Sequence, residues 1–193
     1  MKKLLALIAA FCSLGLASPG FSESIFSFSG GTFSPKEDFM SDFDTGTTFA
    51  ATYVTHASDL FAFGIDIAFS QTEAKDDILG TEYKDTLSTL GLEALIYIQP
   101  KDAKVQPYAG IGLGVYGNNV ASEINGNEYY DDSGSAFGVV GKAGLRFYLD
   151  NKFFIGGYAK YYTNNQDFEE TNGNTEELNI GGTCLMFEIG AKL

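Results

Sequence analysis

Six ionisable side chains sit in the middle of otherwise apolar stretches: Asp66, Glu93, Lys142, Arg146, Lys160 and Glu188. Three acids and three bases offer two kinds of chemistry. They can pass protons or ions along a gated path, or they can neutralise one another as a buried plug. Buried charges survive only when they are paired, and a narrow interior is just filled by side chains. The plug is therefore the favoured reading and the gated path its alternative.

The stretches that carry these charges have a period of two, the signature of a β-strand. In Leu60–Gln71, Phe61, Phe63, Ile65, Ile67 and Phe69 alternate with Leu60, Ala62, Gly64, Asp66, Ala68 and Ser70. A water-facing strand would carry a denser polar face. Here one face is large and greasy, and the other is small, crowded and carries a carboxylate. That suits a strand with lipid on one side and a narrow lumen on the other.

The same phase recurs along the chain. Leu90, Leu92, Ala94, Ile96 and Ile98 oppose Thr89, Gly91 and Glu93, while Ala109, Ile111, Leu113 and Val115 alternate with Tyr108, Gly110, Gly112, Gly114 and Tyr116. Glycine weakens a strand, so three alternate glycines make sense only where bulky neighbours fill a tight interior. Phe137, Val139, Ala143, Leu145 and Phe147 oppose Lys142, Arg146 and Tyr148; Phe153, Ile155, Ala159 and Tyr161 oppose Tyr158 and Lys160; Leu185, Phe187, Ile189 and Leu193 oppose Glu188. The first strand is ambiguous, because Phe26 and Phe28 share one phase and Phe33 takes the other.

Eight strands result: Ser24–Ser34, Gly46–His56, Leu60–Gln71, Asp85–Ile98, Gln106–Gly117, Ser135–Leu149, Phe153–Asn164 and Leu178–Leu193. Three connections are short (57–59, 99–105, 150–152) and four are long (35–45, 72–84, 118–134, 165–177). Short turns on one rim and long loops on the other predict an all-β fold, an eight-stranded antiparallel up-and-down transmembrane β-barrel. In such a ring the third and fourth strands face the seventh and eighth, so the six charges can pair across the interior.

The ends and the charge balance fit an exported protein. Lys2 and Lys3, an apolar run from Leu4 to Phe11 and Gly15-Leu16-Ala17 predict a signal peptide over residues 1–17, with the barrel domain spanning 18–193. Phe11 before Cys12 argues against lipidation, and Cys184 reads as a small residue inside the last strand. Without Lys2 and Lys3 the chain holds ten basic and 25 acidic residues, a net of −15. Nucleic-acid binding, which needs Lys and Arg against phosphates, is excluded. The four long connections together with Asp85 hold 18 acidic residues and three lysines, whereas the rest of the mature chain holds seven of each sign. All the excess charge lies on one rim.

No catalytic, cofactor or metal site emerges. The lone His56 falls on the short-turn rim, the wrong end for a lipid- or peptide-cleaving barrel enzyme, and reads as an interfacial polar residue. No Cys/His cluster has zinc spacing, and Asp42-Phe43-Asp44, Asp76-Asp77 and Asp131-Asp132 match no dedicated cation loop. Asn125-Gly126-Asn127 and Asn172-Gly173-Asn174 are hairpin turn signals, so the third and fourth long connections should rise as β-hairpins. Tyr129 and Tyr130 beside the first of these turns are the candidate contact surface, against an equal reading as hairpin packing.

Two segments resemble a known family. Gln106-Pro107-Tyr108-Ala109-Gly110-Ile111-Gly112-Leu113-Gly114-Val115 is similar to the recurring fifth-strand segment of the small outer-membrane β-barrels, typified by the transmembrane domain of outer-membrane protein A and the opacity-type adhesins. The ending Phe187-Glu188-Ile189-Gly190-Ala191-Lys192-Leu193 resembles the alternating signal read by the barrel-assembly machinery, with Leu193 where that family usually has an aromatic. Eight strands are expected, and no counterpart of that protein's peptidoglycan-binding domain. The resemblance implies a monomer in the bacterial outer membrane, in contact with lipid and lipopolysaccharide and inserted by the assembly machinery. The expected role is structural and interactive, with acidic loops turned to the outside for envelope integrity, adhesion or surface recognition and the extracellular partner open. The alternative is a narrow channel or porin-like transporter.

Overall fold

The period-two stretches fold into one closed ring. The computed structural model describes residues 23–36, 43–78, 80–169 and 175–193; the expected signal peptide lies outside them. The strands are β1 (Ser24–Pro35), β2 (Gly46–His56), β3 (Phe61–Ile78), β4 (Thr81–Ile98), β5 (Val105–Ile124), β6 (Asn127–Tyr148), β7 (Phe153–Tyr162), β8 (Asn165–Glu169), β9 (Thr175–Asn179) and β10 (Gly182–Lys192). Eight of them close in the order β1-β10-β7-β6-β5-β4-β3-β2, and β8 and β9 form a separate two-stranded hairpin. Every adjacent pair is antiparallel.

Alternation decides which side chain goes where. Phe63 is 42% exposed on the outer wall, whereas Asp66 is 1% exposed inside it. Phe28, Phe49, Ile67, Leu90, Ile96, Ile111, Leu113, Leu145, Phe187 and Ile189 are likewise exposed. Together they form the apolar band that a bilayer requires. The ambiguity of the first strand disappears, because its ladders to β10 and β2 run without a shift. Phe33 is a lumen residue, buried and stacked on Tyr162 with ring centroids 5.8 Å apart.

Two of the glycines of β5, Gly110 and Gly114, lie under aromatic rings, whereas Gly112 lies against the backbone of β4 at Ala94 and Leu95. A Cβ on Gly110 would fall 2.6 Å from the Tyr97 ring, and one on Gly114 2.6 Å from Tyr116.

The wall is lopsided. β1, β2, β7 and β10 have 10–12 residues, close to the span of a transmembrane strand, but β3 to β6 have 18–22. The second long connection, expected as a loop, is instead a continuation of β3 and β4, paired up to Ile78↔Thr81. Thr72–Lys84 lacks the apolar phase because its strands stand above the membrane, where no lipid demands it. β5 and β6 meet at a tight turn in which Asn125 and Gly126 both have positive φ, 51° and 75°, as an Asn-Gly hairpin needs. β8 and β9 form the fourth hairpin, whose Asn172–Asn174 tip lies outside the described residues. The stretch read as one final strand from Leu178 is broken at Ile180 and Gly181, and only Gly182–Lys192 belongs to the ring. Ile180 is drawn inward instead, burying itself with Leu87 against Phe43 and Val120 over the lumen mouth.

His56 is corrected as well. It is buried at the end of β2, with Nε2 3.3 Å from Gln99 Nε2, and lines the floor of the cylinder rather than the membrane interface. Cys184 is buried in β10 and faces the lumen.

Gly110→Val should destabilise the barrel by about 1–3 kcal/mol, measured by urea unfolding in lipid vesicles. The β6–β7 turn supplies a pH test. Asp150 Oδ1 accepts from the Lys152 and Phe153 amides at 2.7 and 2.6 Å, which holds its carboxyl below the ordinary range. Its contribution is complete above the unfolded carboxylate pKa and fades as pH falls through the lowered folded value. Amide protection of this turn should weaken on acidification, and Asp150→Asn should remove that dependence.

Candidate functional site: the charged lumen

All six charges expected in the interior are there, and they form three pairs. Asp66 on β3 meets Lys142 on β6 at 2.8 Å, Glu93 on β4 meets Lys160 on β7 at 2.8 Å, and Arg146 on β6 meets Glu188 on β10. Each of the six side chains is at most 2% exposed. The first two pairs cross the lumen. The third does not, because Glu188 takes a partner only two strands away. Arg146 and Glu188 are both in register with Gly156 on the strand between them, and the missing side chain lets them meet over it.

The Arg146–Glu188 pair is a fork. Nε donates to Oε2 at 3.1 Å and Nη2 to Oε1 at 3.0 Å, while Nη1 donates to Gln99 Oε1 at 2.8 Å. Glu188 also accepts from Ser27 Oγ at 2.6 Å and from the Tyr108 hydroxyl at 3.1 Å. Four donors on one carboxylate replace the water it lost, the condition under which a buried ion pair holds.

The other two pairs form a quartet. Asp66 and Glu93 are direct cross-strand neighbours, and so are Lys142 and Lys160. Like charges placed side by side are unfavourable. Here the acidic couple faces the basic couple, so the two repulsions are set against two ion pairs at 2.8 Å. Lys142 also donates to Thr52 Oγ1 at 3.3 Å, and the Tyr116 hydroxyl donates to Glu93 Oε1 at 3.2 Å.

Every lumen cation also lies on an aromatic face. Arg146 Cζ is 4.3 Å from the Tyr108 centroid and 5.1 Å from that of Phe154; Lys142 Nζ is 4.0 Å from Tyr158, and Lys160 Nζ is 5.2 Å from Tyr162. In a desolvated site such a contact contributes about 2 kcal/mol. Sequence reasoning found the charges but not these rings. Their signal was present, since Tyr108, Tyr158 and Tyr162 share the inward phase of their strands. Above the charges the lumen stays polar: Asn118 Oδ1 accepts from Thr89 Oγ1 at 3.0 Å and from Asn164 Nδ2 at 2.8 Å.

The other candidate residues lie elsewhere. Tyr129 and Tyr130 belong to β6, where it rises above the ring, and their side chains lie outside the described residues. Among the described residues no three His, Cys, Asp or Glu side chains gather as a metal site.

An inward ionic core inside an outward apolar wall is the arrangement of a membrane cylinder, and the sequence carries the matching signature. The family model for the outer membrane protein beta-barrel domain matches residues 4–183. The chain belongs to this family. It is a bacterial outer-membrane β-barrel protein, and its wall lies among lipid and lipopolysaccharide. No curated protein matches it in sequence. Among solved structures, the outer membrane protein OprG from Pseudomonas aeruginosa superposes with a TM-score of 0.64 at 15% identity, covering 90% of this chain and 98% of OprG. Neisserial surface protein A follows at 0.54 and 13%, covering 89% and 96%. Ail, the attachment invasion locus protein of Yersinia pestis, follows at 0.53 and 18%, covering 90% and 99%. At these identities the likeness is one of fold.

Lys142→Met, which strands Asp66 in a buried site, should cost about 3–5 kcal/mol in reversible unfolding. Lys142→Met combined with Asp66→Leu should recover most of that loss, because no unpaired charge then remains.

Proposed function

We propose that this protein is a non-enzymatic wall element of the outer membrane that displays acidic hairpins to the outside. The observation that carries this reading is the lumen, in which all six charges are paired and no more than 2% exposed. Ions crossing such an interior would have to break those pairs without water to replace them. The four longest strands, β3 to β6, rise above the ring on the long-loop side, and that side carries the excess acid. Function therefore resides on the outer rim and not along the axis.

The sign of that rim bears on what it meets. Ail has been solved in complex with the heparin analogue sucrose octasulfate. A rim with 18 acidic residues and three lysines repels a polyanion of that kind. A basic surface is the partner class that fits, and its attraction weakens with salt. The barrel functions as a monomer, inserted through its C-terminal strand by the assembly machinery. Tyr129 and Tyr130 are the contact residues we assign to the β5–β6 hairpin.

Planar-bilayer recording decides between this role and a narrow channel or porin-like transporter. The purified protein should give no steady single-channel steps. Reproducible steps that disappear in Lys142→Met would sink the wall reading and establish conduction through the quartet.

A further inference from the structure

In an up-and-down cylinder every pair of neighbouring strands is joined in sequence except one. Here that pair is β1 and β10, so their seam is held by noncovalent contacts alone. The ladder runs from Ile25↔Lys192 to Pro35↔Gly182. At its short-turn end the seam carries an added fastening. Lys192 Nζ lies 2.8 Å from Glu23 Oε1, one residue ahead of β1, and 3.3 Å from Asp102 Oδ1 in the turn between β4 and β5. In the ring, β7 and β6 separate β10 from β5. One ammonium group thus ties the last strand to the segment before the first strand and to the far wall.

The surroundings hold this group in place. Lys192 Nζ rests 4.7 Å from the Tyr148 ring centroid. Its backbone amide donates to the Lys152 carbonyl at 2.8 Å, and the Leu193 amide donates to the Ser24 carbonyl at 2.8 Å. Glu23 is fixed from the other side, its carbonyl accepting from the His56 amide at 3.0 Å. The Lys192 and Glu23 side chains are only 16% and 14% exposed, so water screens them little. Asp102 reaches Lys192 from the turn with a backbone φ of 60°, a left-handed conformation that Asp adopts readily in turns, and its side chain is 72% exposed, so it is the weaker arm of the contact.

We propose that Lys192 is a closure latch. It engages Glu23 and Asp102 together only once β10 has paired with β1 and the β4–β5 turn has folded beneath them. Once engaged, it keeps the two terminal strands from peeling apart at the short-turn end. The seam needs such a device because it has no turn to hold it, and a local fastening raises the cost of local opening specifically.

Hydrogen–deuterium exchange of the full chain in lipid vesicles tests this. Lys192→Met keeps the stem against Tyr148 and removes the charge. Exchange in peptides covering 24–28 and 187–192 should rise by about tenfold, with β3 to β6 unchanged. Lys192→Arg should retain protection, and Asp102→Asn should add nothing in the Lys192→Met background. Unchanged exchange at the seam, or a rise spread evenly over all strands, would overturn the proposal. If Lys192→Met does not insert, Glu23→Gln, which lies outside the ring strands, must give the same local rise for the latch to stand.

Discussion

A ring of eight strands encloses a space about as wide as the side chains that fill it, so a charge placed there loses its water and must find replacements among its neighbours. That constraint governs this molecule. Three acids and three bases point inward, and each finds an opposite charge within about 3 Å. Hydroxyls, an amide and aromatic faces occupy much of the remaining space around them. The pairing is also geometric information. Lys142 reaches Asp66 and Lys160 reaches Glu93 only when β3 and β4 are staggered correctly against β6 and β7, so the quartet selects the register that closes the ring. Slipping any of these strands by one residue would turn its charge into the hydrocarbon.

Outer wall and lumen are two consequences of one alternation. Phe63 and Ile67 meet lipid because Asp66 meets Lys142, and the same inversion runs around the ring. Gly110 and Gly114 of β5 fit the same logic: with Tyr97 and Tyr116 spread over them, small residues are what bring large rings close to the strand. The apolar contacts among Leu87, Ile180, Phe43 and Val120 then cover the outer end, while the His56, Gln99 and Arg146 side chains pack at the other. These side chains fill the lumen near its two ends.

The rim differs from the lumen in how its charge is handled. Inside, every charge is matched. Outside, the long connections with Asp85 hold 18 acidic residues against three lysines, and the described Asp76, Asp77 and Glu82 are exposed to water, where repulsion costs little. This division lets the cylinder be rigid and the exterior be soluble and resistant to self-association. The lopsided height of the wall, with β3 to β6 carried well above their neighbours, places that surface to one side of the axis.

The sequence alone determined what is local. Alternation at Leu60–Gln71 and its counterparts shows which side chains point in and which point out, and Asn125-Gly126 marks its turn, because both properties belong to residues close together in the chain. It also separates the lumen charges from the rim charges. The tertiary structure decided what depends on stagger around the ring: that Asp66 takes Lys142, that Glu188 takes Arg146 over Gly156, and that Phe33 belongs inside. It likewise decided that Thr72–Lys84 continues as strand, since above the membrane a hairpin is held by its neighbours' backbone and leaves no apolar trace in the sequence. His56 became a floor residue for the same reason. Its burial comes from Glu23, set beside it by the β1–β2 ladder, and from Gln99 at the end of β4, partners distant in sequence that only strand pairing brings beside it.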